Sequence, residues 1–307
     1  MSIATAGAIT DQVPQAQTFG PVSYGWNGFV NLQNAPDAAA NGDFLDYYLS
    51  HMNTASQSQG RRLLDVLDLH WYSEAQGGGV RVVNQDNSAA VAAARVQSPR
   101  SLWDTTYTET SWITQWSTSG PIQLIPRMMA KIAAQYPGTK LAFSEYNHGG
   151  EDHISGALAQ ADCLGIFGRD GVFAANVWPL QSVETFMFGA FRIFRNYDGA
   201  GAVFGNTSFS ATASDVAKAS VYASQDAGIA NRVVTVLLNK DTVSHTAGLA
   251  LTHTQAFSTA KVYQLTAASP VQGNSVMPQQ LSDIAITKVN AFTMTLPAQS
   301  ITVVVWN

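Results

Sequence analysis

The stretch Lys140-Leu141-Ala142-Phe143-Ser144-Glu145-Tyr146-Asn147-His148-Gly149-Gly150 sets a single carboxylate at the end of a short apolar run, just before a polar, glycine-terminated loop. An apolar strand ending in this way fits a β/α-barrel, in which the reacting groups sit at the carboxyl ends of parallel strands. A Glu in that place, followed by aromatic and amide side chains, suits a glycosidase nucleophile among sugar-binding groups. The plainer alternative is a strand-end Glu that caps the next helix or pairs with a nearby cation.

The surrounding chain has the grammar of βα units. Apolar strands are expected at 18–24, 66–72, 140–146 and 171–178, with amphipathic helices at 43–55, 121–136, 154–167 and 184–194. Leu124, Ile125, Met128, Met129 and Ile132 give the i, i+3, i+4 spacing of one buried helix face. The interval 73–120 carries Gly77-Gly78-Gly79 and three tryptophans, Trp103, Trp112 and Trp116, and reads as an elaborated loop with some helix. Loops of that size inside a compact domain are usually functional. After Asp198-Gly199 the pattern turns to short alternating strands at 220–223, 232–239, 247–252, 260–265, 291–296 and 301–306, the pattern of an antiparallel β-sandwich. The expected organisation is residues 1–200 as a partial (β/α)8 barrel carrying the nucleophile and residues 201–307 as a β-sandwich accessory domain. Four βα units cannot close a barrel, which needs eight strands and typically about 250 residues. The chain therefore reads as the second half of a barrel followed by its sandwich.

Composition excludes several roles. With 307 residues, 46% hydrophobic and 12% charged, there is enough apolar material for a substantial core. The net charge of −5 and the lack of any Lys/Arg cluster argue against nucleic acid and anionic membrane as partners. The one cysteine, Cys163, lies among apolar neighbours and reads as a buried thiol. Residues 1–17 have neither the positive leader nor the apolar run of a secretion signal, so the chain itself assigns no export. His148, Glu151, Asp152 and His153 are close enough in sequence to suggest a cation site, with helix capping or structural roles as the competing reading. No metal or cofactor is expected.

The two-residue period of a strand puts Asp68, His70 and Tyr72 on one face and Leu141, Phe143 and Glu145 on one face. If both faces line a barrel, His70, Tyr72 and Glu145 converge at its mouth, and Trp178 joins them from the next strand. Aromatic rings suit carbohydrate because their apolar faces stack on sugar C–H faces while His and Tyr bond the hydroxyls. His70 has a plainer reading as a core histidine paired with Asp68, and the loop tryptophans as packing.

At these residues a family resemblance becomes specific. Leu63-Leu64-Asp65-Val66-Leu67-Asp68-Leu69-His70-Trp71-Tyr72, Pro99-Arg100-Ser101-Leu102-Trp103-Asp104, Glu145-Tyr146-Asn147 and Arg195-Asn196-Tyr197-Asp198-Gly199 resemble glycoside hydrolase family 44. The likeness runs in order from Phe19-Gly20-Pro21-Val22-Ser23-Tyr24-Gly25-Trp26 to the final strand. Those enzymes, endo-β-1,4-glucanases and xyloglucanases, join a (β/α)8 barrel to a β-sandwich. The resemblance implies that the four strands are barrel strands five to eight and that Glu145, ending strand seven, is the nucleophile of a retaining mechanism. It implies glucan contacts from His70, Trp71, Tyr72, Trp178, Trp26 and Tyr146, a β-glucan polysaccharide as substrate, and an extracellular location. The family's acid/base Glu follows strand four in an Asn-Glu-Pro motif, which this sequence does not contain. The expectation is a carboxyl-terminal portion without its acid/base half, with a non-catalytic glucan-binding or inactive fragment as the alternative. Exposed half-barrel edges predict self-association or pairing with a complementing amino-terminal half-barrel.

Overall fold

The strand Val66–Tyr72 is flanked by Phe19–Tyr24 on one side and Lys140–Asn147 on the other, with Ala174–Val177 beyond, and all four run parallel. This computed structural model describes residues 2–226, 229 and 232–307. The central two strands are buried along most of their length because Leu67, Leu69, Leu141 and Phe143 have no exposed surface. That matches a parallel sheet covered on both faces.

Parallel pairing needs a long crossover, and helices supply it. Phe44–Gln59 starts where the Asp43 side chain accepts the Asp46 amide and stops at Gly60, whose φ of 64° completes a left-handed cap. It buries Leu45, Leu49, Met52 and Ser56, one stripe of the helix. Leu124–Gln135 buries Leu124, Ile125, Met128 and Ile132; the Met129 expected on that face is only half-buried. Helices at Ser2–Gln12 and Gly25–Asn31 were not legible in the sequence pattern. The sheet is strongly curved: Phe19, heading the first strand, and Phe173, just ahead of the fourth, have ring centroids 6.2 Å apart. In a flat sheet with strands spaced about 4.8 Å apart, the backbones of the outer two would be roughly 14 Å apart.

The compact unit built on this sheet comprises residues 1–74, 100–147 and 170–178. A second unit takes residues 75–99, 148–169 and 179–307. Its frame is an antiparallel sheet in the order Gln279–Gln280, Thr259–Leu265, Ser300–Trp306, Val233–Asn239, Ala219–Gln225, Thr207–Phe209, with Ile284–Ala285 added beside Thr259–Leu265. A two-stranded layer, His245–Ala250 with Ala291–Leu296, completes a sandwich. Leu249, Met294 and Leu296 from that layer meet Val233, Val262, Val304 and Trp306 from the larger sheet.

Val233–Asn239 and Ser300–Trp306 are buried at every position, which alternation alone does not predict. Helices cover the sheet's other face. Ile154–Arg169 is buried along nearly its whole length, and Thr185–Arg195 and Ala89–Gln97 pack beside it. Gly165 admits the Tyr222 ring, which a Cβ would meet at 2.3 Å. Tyr222 donates to Asp162 at 2.5 Å, and Lys240 lies 3.4 Å from the same carboxylate, so this inward polar group has both charge and hydrogen-bond partners. The interval 73–120 is more ordered than a loop, with the short hairpin Gln76–Gly77 and Val80–Arg81, the helix Ala89–Gln97 and a π turn at Thr114–Thr118. Among the described residues no helix is long and apolar enough to cross a membrane.

Candidate active site

The strand Lys140–Asn147 does not keep the simple alternation of its sequence. Leu69 pairs with Phe143, but the next residue, His70, pairs with Glu145, so Ser144 is an extra residue bulging from the ladder. Neighbouring strands of a sheet in register present paired side chains on one face, so the bulge turns Glu145 onto the face of His70. The expected common face of Phe143 and Glu145 is therefore corrected: the two lie on opposite faces, Phe143 fully buried and Glu145 partly exposed.

At the strand ends, three of the expected residues meet. Tyr72 donates its hydroxyl to Glu145 Oε2 at 2.6 Å. His70 Nδ1 lies 3.2 Å from the same oxygen, and the Glu145 side chain keeps 27% of its surface exposed. Among the described residues no hydrogen bond reaches Oε1. Burial, and then the bond to the Glu145 carboxylate, raise the Tyr72 phenol well above its ordinary value, so it stays a donor through the neutral range. The carboxylate thus has one oxygen held by two ring groups and the other open. That arrangement fixes a nucleophile's rotamer without blocking its attack.

Trp178 follows the fourth strand and is half exposed. Its amide donates to Tyr146 O at 3.1 Å, and Asn147 Nδ2 donates to its carbonyl at 2.7 Å, so the chain leaving that strand is tied to the strand end that carries Glu145. Three other expected contacts are not presented as free rings. Trp71 and Tyr146 pair across the ladder on the opposite face from His70 and Glu145, and both are fully buried. Trp26 is buried too, donating to Ser117 Oγ at 2.7 Å with the Arg127 guanidinium over its ring. A buried ring has no face to offer a sugar, so in this structure Trp26, Trp71 and Tyr146 are packing residues.

The sequence pattern missed Tyr24. It ends the first strand opposite His70, is 60% exposed, and its ring centroid is 6.2 Å from that of Tyr72. Its place as the terminal aromatic of a strand was the available signal. Trp116, on the π turn, is the most exposed tryptophan, at 82%.

Other carboxylates have structural duties. Glu151 is buried and accepts the amides of Leu180 at 2.6 Å and Gln181 at 3.1 Å, and Glu109 accepts the Ser101 hydroxyl. His148 bonds Ser98, Asp152 accepts from Asn87, and His153 bonds Ser155. Among the described residues no group of three or more His, Cys, Asp or Glu side chains could hold a metal ion.

Residues 1–75 match the model of glycoside hydrolase family 44. The chain is 41% identical, over 97% of its own length, to endoglucanase A of Paenibacillus lautus, of which it spans 43%. Its fold superposes on a family 44 endoglucanase from Clostridium thermocellum with a TM-score of 0.93 at 38% identity, covering 100% of this chain and 60% of that one. A Paenibacillus polymyxa family 44 xyloglucanase, solved with xyloglucan, gives 0.94 at 38% identity with the same coverage. Over nearly its whole length the chain is thus similar in sequence and fold to members of glycoside hydrolase family 44, and it spans 60% of each of these two solved relatives.

Proposed function

We propose that this chain supplies the nucleophile side of a retaining glycoside hydrolase acting on β-1,4-glucans. One observation carries the reading: Tyr72 and His70 both address Oε2 of a strand-end glutamate whose other oxygen is open. Glu145 Oε1 attacks the anomeric carbon as the glycosidic bond breaks, giving a covalent glycosyl-enzyme that water later hydrolyses. Tyr72 and His70 hold the carboxylate in its attacking rotamer. The half-exposed Trp178 ring and the neighbouring Tyr24 offer apolar faces to the sugar ring. The relatives named endoglucanase and xyloglucanase support a β-glucan as the substrate, which in turn favours an extracellular place of action.

The curved parallel sheet supports the second half of a (β/α)8 barrel, strands five to eight, with residues 1–200 as the barrel segment and 201–307 as the sandwich. A curved sheet whose two outer strands have no further strand partner among the described residues also supports association with a complementing half-barrel or a second copy.

Protonating a natural leaving group requires a second carboxyl group about 5–5.5 Å from the nucleophile. An activated aryl β-cellobioside needs no such proton, so its hydrolysis reports on Glu145 itself. The expected result is slow release of the phenol, abolished by Glu145→Gln, with affinity for xyloglucan or carboxymethylcellulose retained in both proteins. Glucan affinity without phenol release from the unsubstituted chain would favour a binding module. Release that survives Glu145→Gln would remove Glu145 from the chemistry.

A further inference from the structure

The extra residue in Lys140–Asn147 decides which face Glu145 occupies. Without it, the ladder would continue from Leu69 and Phe143 to set Ser144 opposite His70 and Glu145 opposite Trp71. Trp71 is 1% exposed, so Glu145 would then point into packed side chains and away from Tyr72. Bulges are uncommon between parallel strands, and one costs a ladder hydrogen bond, because the extra residue has no partner across the pair. Here the cost is met by a side chain. The Ser144 amide donates to Asp68 Oδ1 at 2.9 Å, and Asp68 is 3% exposed within the neighbouring strand. A buried amide bound to a carboxylate is held more firmly than by a neutral acceptor.

We propose that Asp68 is a positioning residue: by accepting the Ser144 amide it holds the bulge that turns Glu145 toward His70 and Tyr72. It touches neither substrate nor reacting atoms and acts through the backbone. The proposal rests on the reading of Glu145 as nucleophile for its consequence in chemistry, but its structural half stands apart from that reading.

The test compares the unsubstituted chain with Asp68→Ala and Asp68→Asn. Ser144 amide exchange is followed by hydrogen–deuterium exchange, and covalent trapping by an activated 2-deoxy-2-fluoro-β-cellobioside is followed by mass spectrometry. Asp68→Ala is expected to unfold cooperatively, to exchange the Ser144 amide at least about tenfold faster and to be trapped at least about tenfold more slowly. Asp68→Asn keeps an amide oxygen as acceptor and should recover both rates to within about threefold. Unchanged exchange in Asp68→Ala, or faster exchange with unchanged trapping, overturns the proposal. If the unsubstituted chain is not trapped, the nucleophile reading falls. A crystal structure of Asp68→Ala then decides positioning: Glu145 still bonded to Tyr72 overturns it, and Glu145 displaced from Tyr72 supports it. Should Asp68→Ala not fold, the unsubstituted chain suffices, because a Ser144 amide exchanging as fast as an exposed loop amide would show that Asp68 holds nothing.

Discussion

Acidification should destabilise this fold through His148. The ring is 3% exposed, its Nδ1 bonds Ser98 Oγ at 2.7 Å, and its Nε2 is buried without a hydrogen-bond partner among the described residues. Burial lowers its pKa from 6.5 to about 4, against an opposing pull from the Asp162 carboxylate. The folded state therefore binds the proton more weakly than the unfolded chain. Between about pH 6.5 and 4 the unfolded chain carries more protons, so stability is complete above that window and falls as the pH is lowered through it. Each pH unit of displacement is worth about 1.4 kcal/mol, so the whole amounts to roughly 3 kcal/mol. The carboxylates held low by their partners, Asp104 and Asp198 among them, titrate below this window. His153 is also lowered by burial and adds a slope of the same sign. The informative quantity is hence the difference between the unsubstituted chain and His148→Gln in urea unfolding at pH 7, 6, 5 and 4.5. The variant should lose clearly less stability on acidification, by up to about 3 kcal/mol over the window. Parallel losses in the two proteins would refute the assignment of the acid sensitivity to His148.

Lys240→Ala should cost about 3–5 kcal/mol in urea unfolding, because it leaves the buried Asp162 carboxylate without its cation, while Lys240→Met should cost less only if Asp162 is removed with it. Gly165→Ala should cost about 1–3 kcal/mol by thermal melting, since its Cβ would fall 2.3 Å from the Tyr222 ring. Trp178→Ala should leave the melting temperature nearly unchanged and weaken glucan binding in affinity electrophoresis by roughly three- to tenfold, the worth of one aromatic stacking contact.

The parallel strands and their main helices were legible because each presents a clean period. Val66–Tyr72 was read to the residue, and Phe44–Gln59 was located by its Asp43 start and apolar stripe. The longer antiparallel strands were readable too, down to Ala291–Leu296, whereas Thr207–Phe209, Gln279–Gln280 and Ile284–Ala285, of two or three residues each, are too short to show a period. What escaped was structure that a period does not encode. Ser2–Gln12 buries only Ala6 and Gly7, and so shows little apolar stripe. Ala89–Gln97 is rich in alanine, whose high helix propensity was hidden inside a glycine-bearing interval. In the site, residue types pointed to Glu145, His70 and Tyr72, and the three do meet. They meet because of a bulge, which no alternation rule reveals: Ser144 looks like any other strand residue until its amide is seen on Asp68. Burial was illegible for a related reason. Trp71 and Tyr146 sit beside site residues in sequence, yet strand geometry sends them to the other face.

The most direct test is covalent trapping of the chain with 2,4-dinitrophenyl 2-deoxy-2-fluoro-β-cellobioside, followed by peptide mass spectrometry. The fluorine slows breakdown of the intermediate and the activated leaving group departs without an acid catalyst, so only a working nucleophile is required. The predicted result is one fluorocellobiosyl group on the peptide carrying Glu145, with no adduct in Glu145→Gln. An adduct on any other carboxylate, or one that persists in Glu145→Gln, would contradict the account.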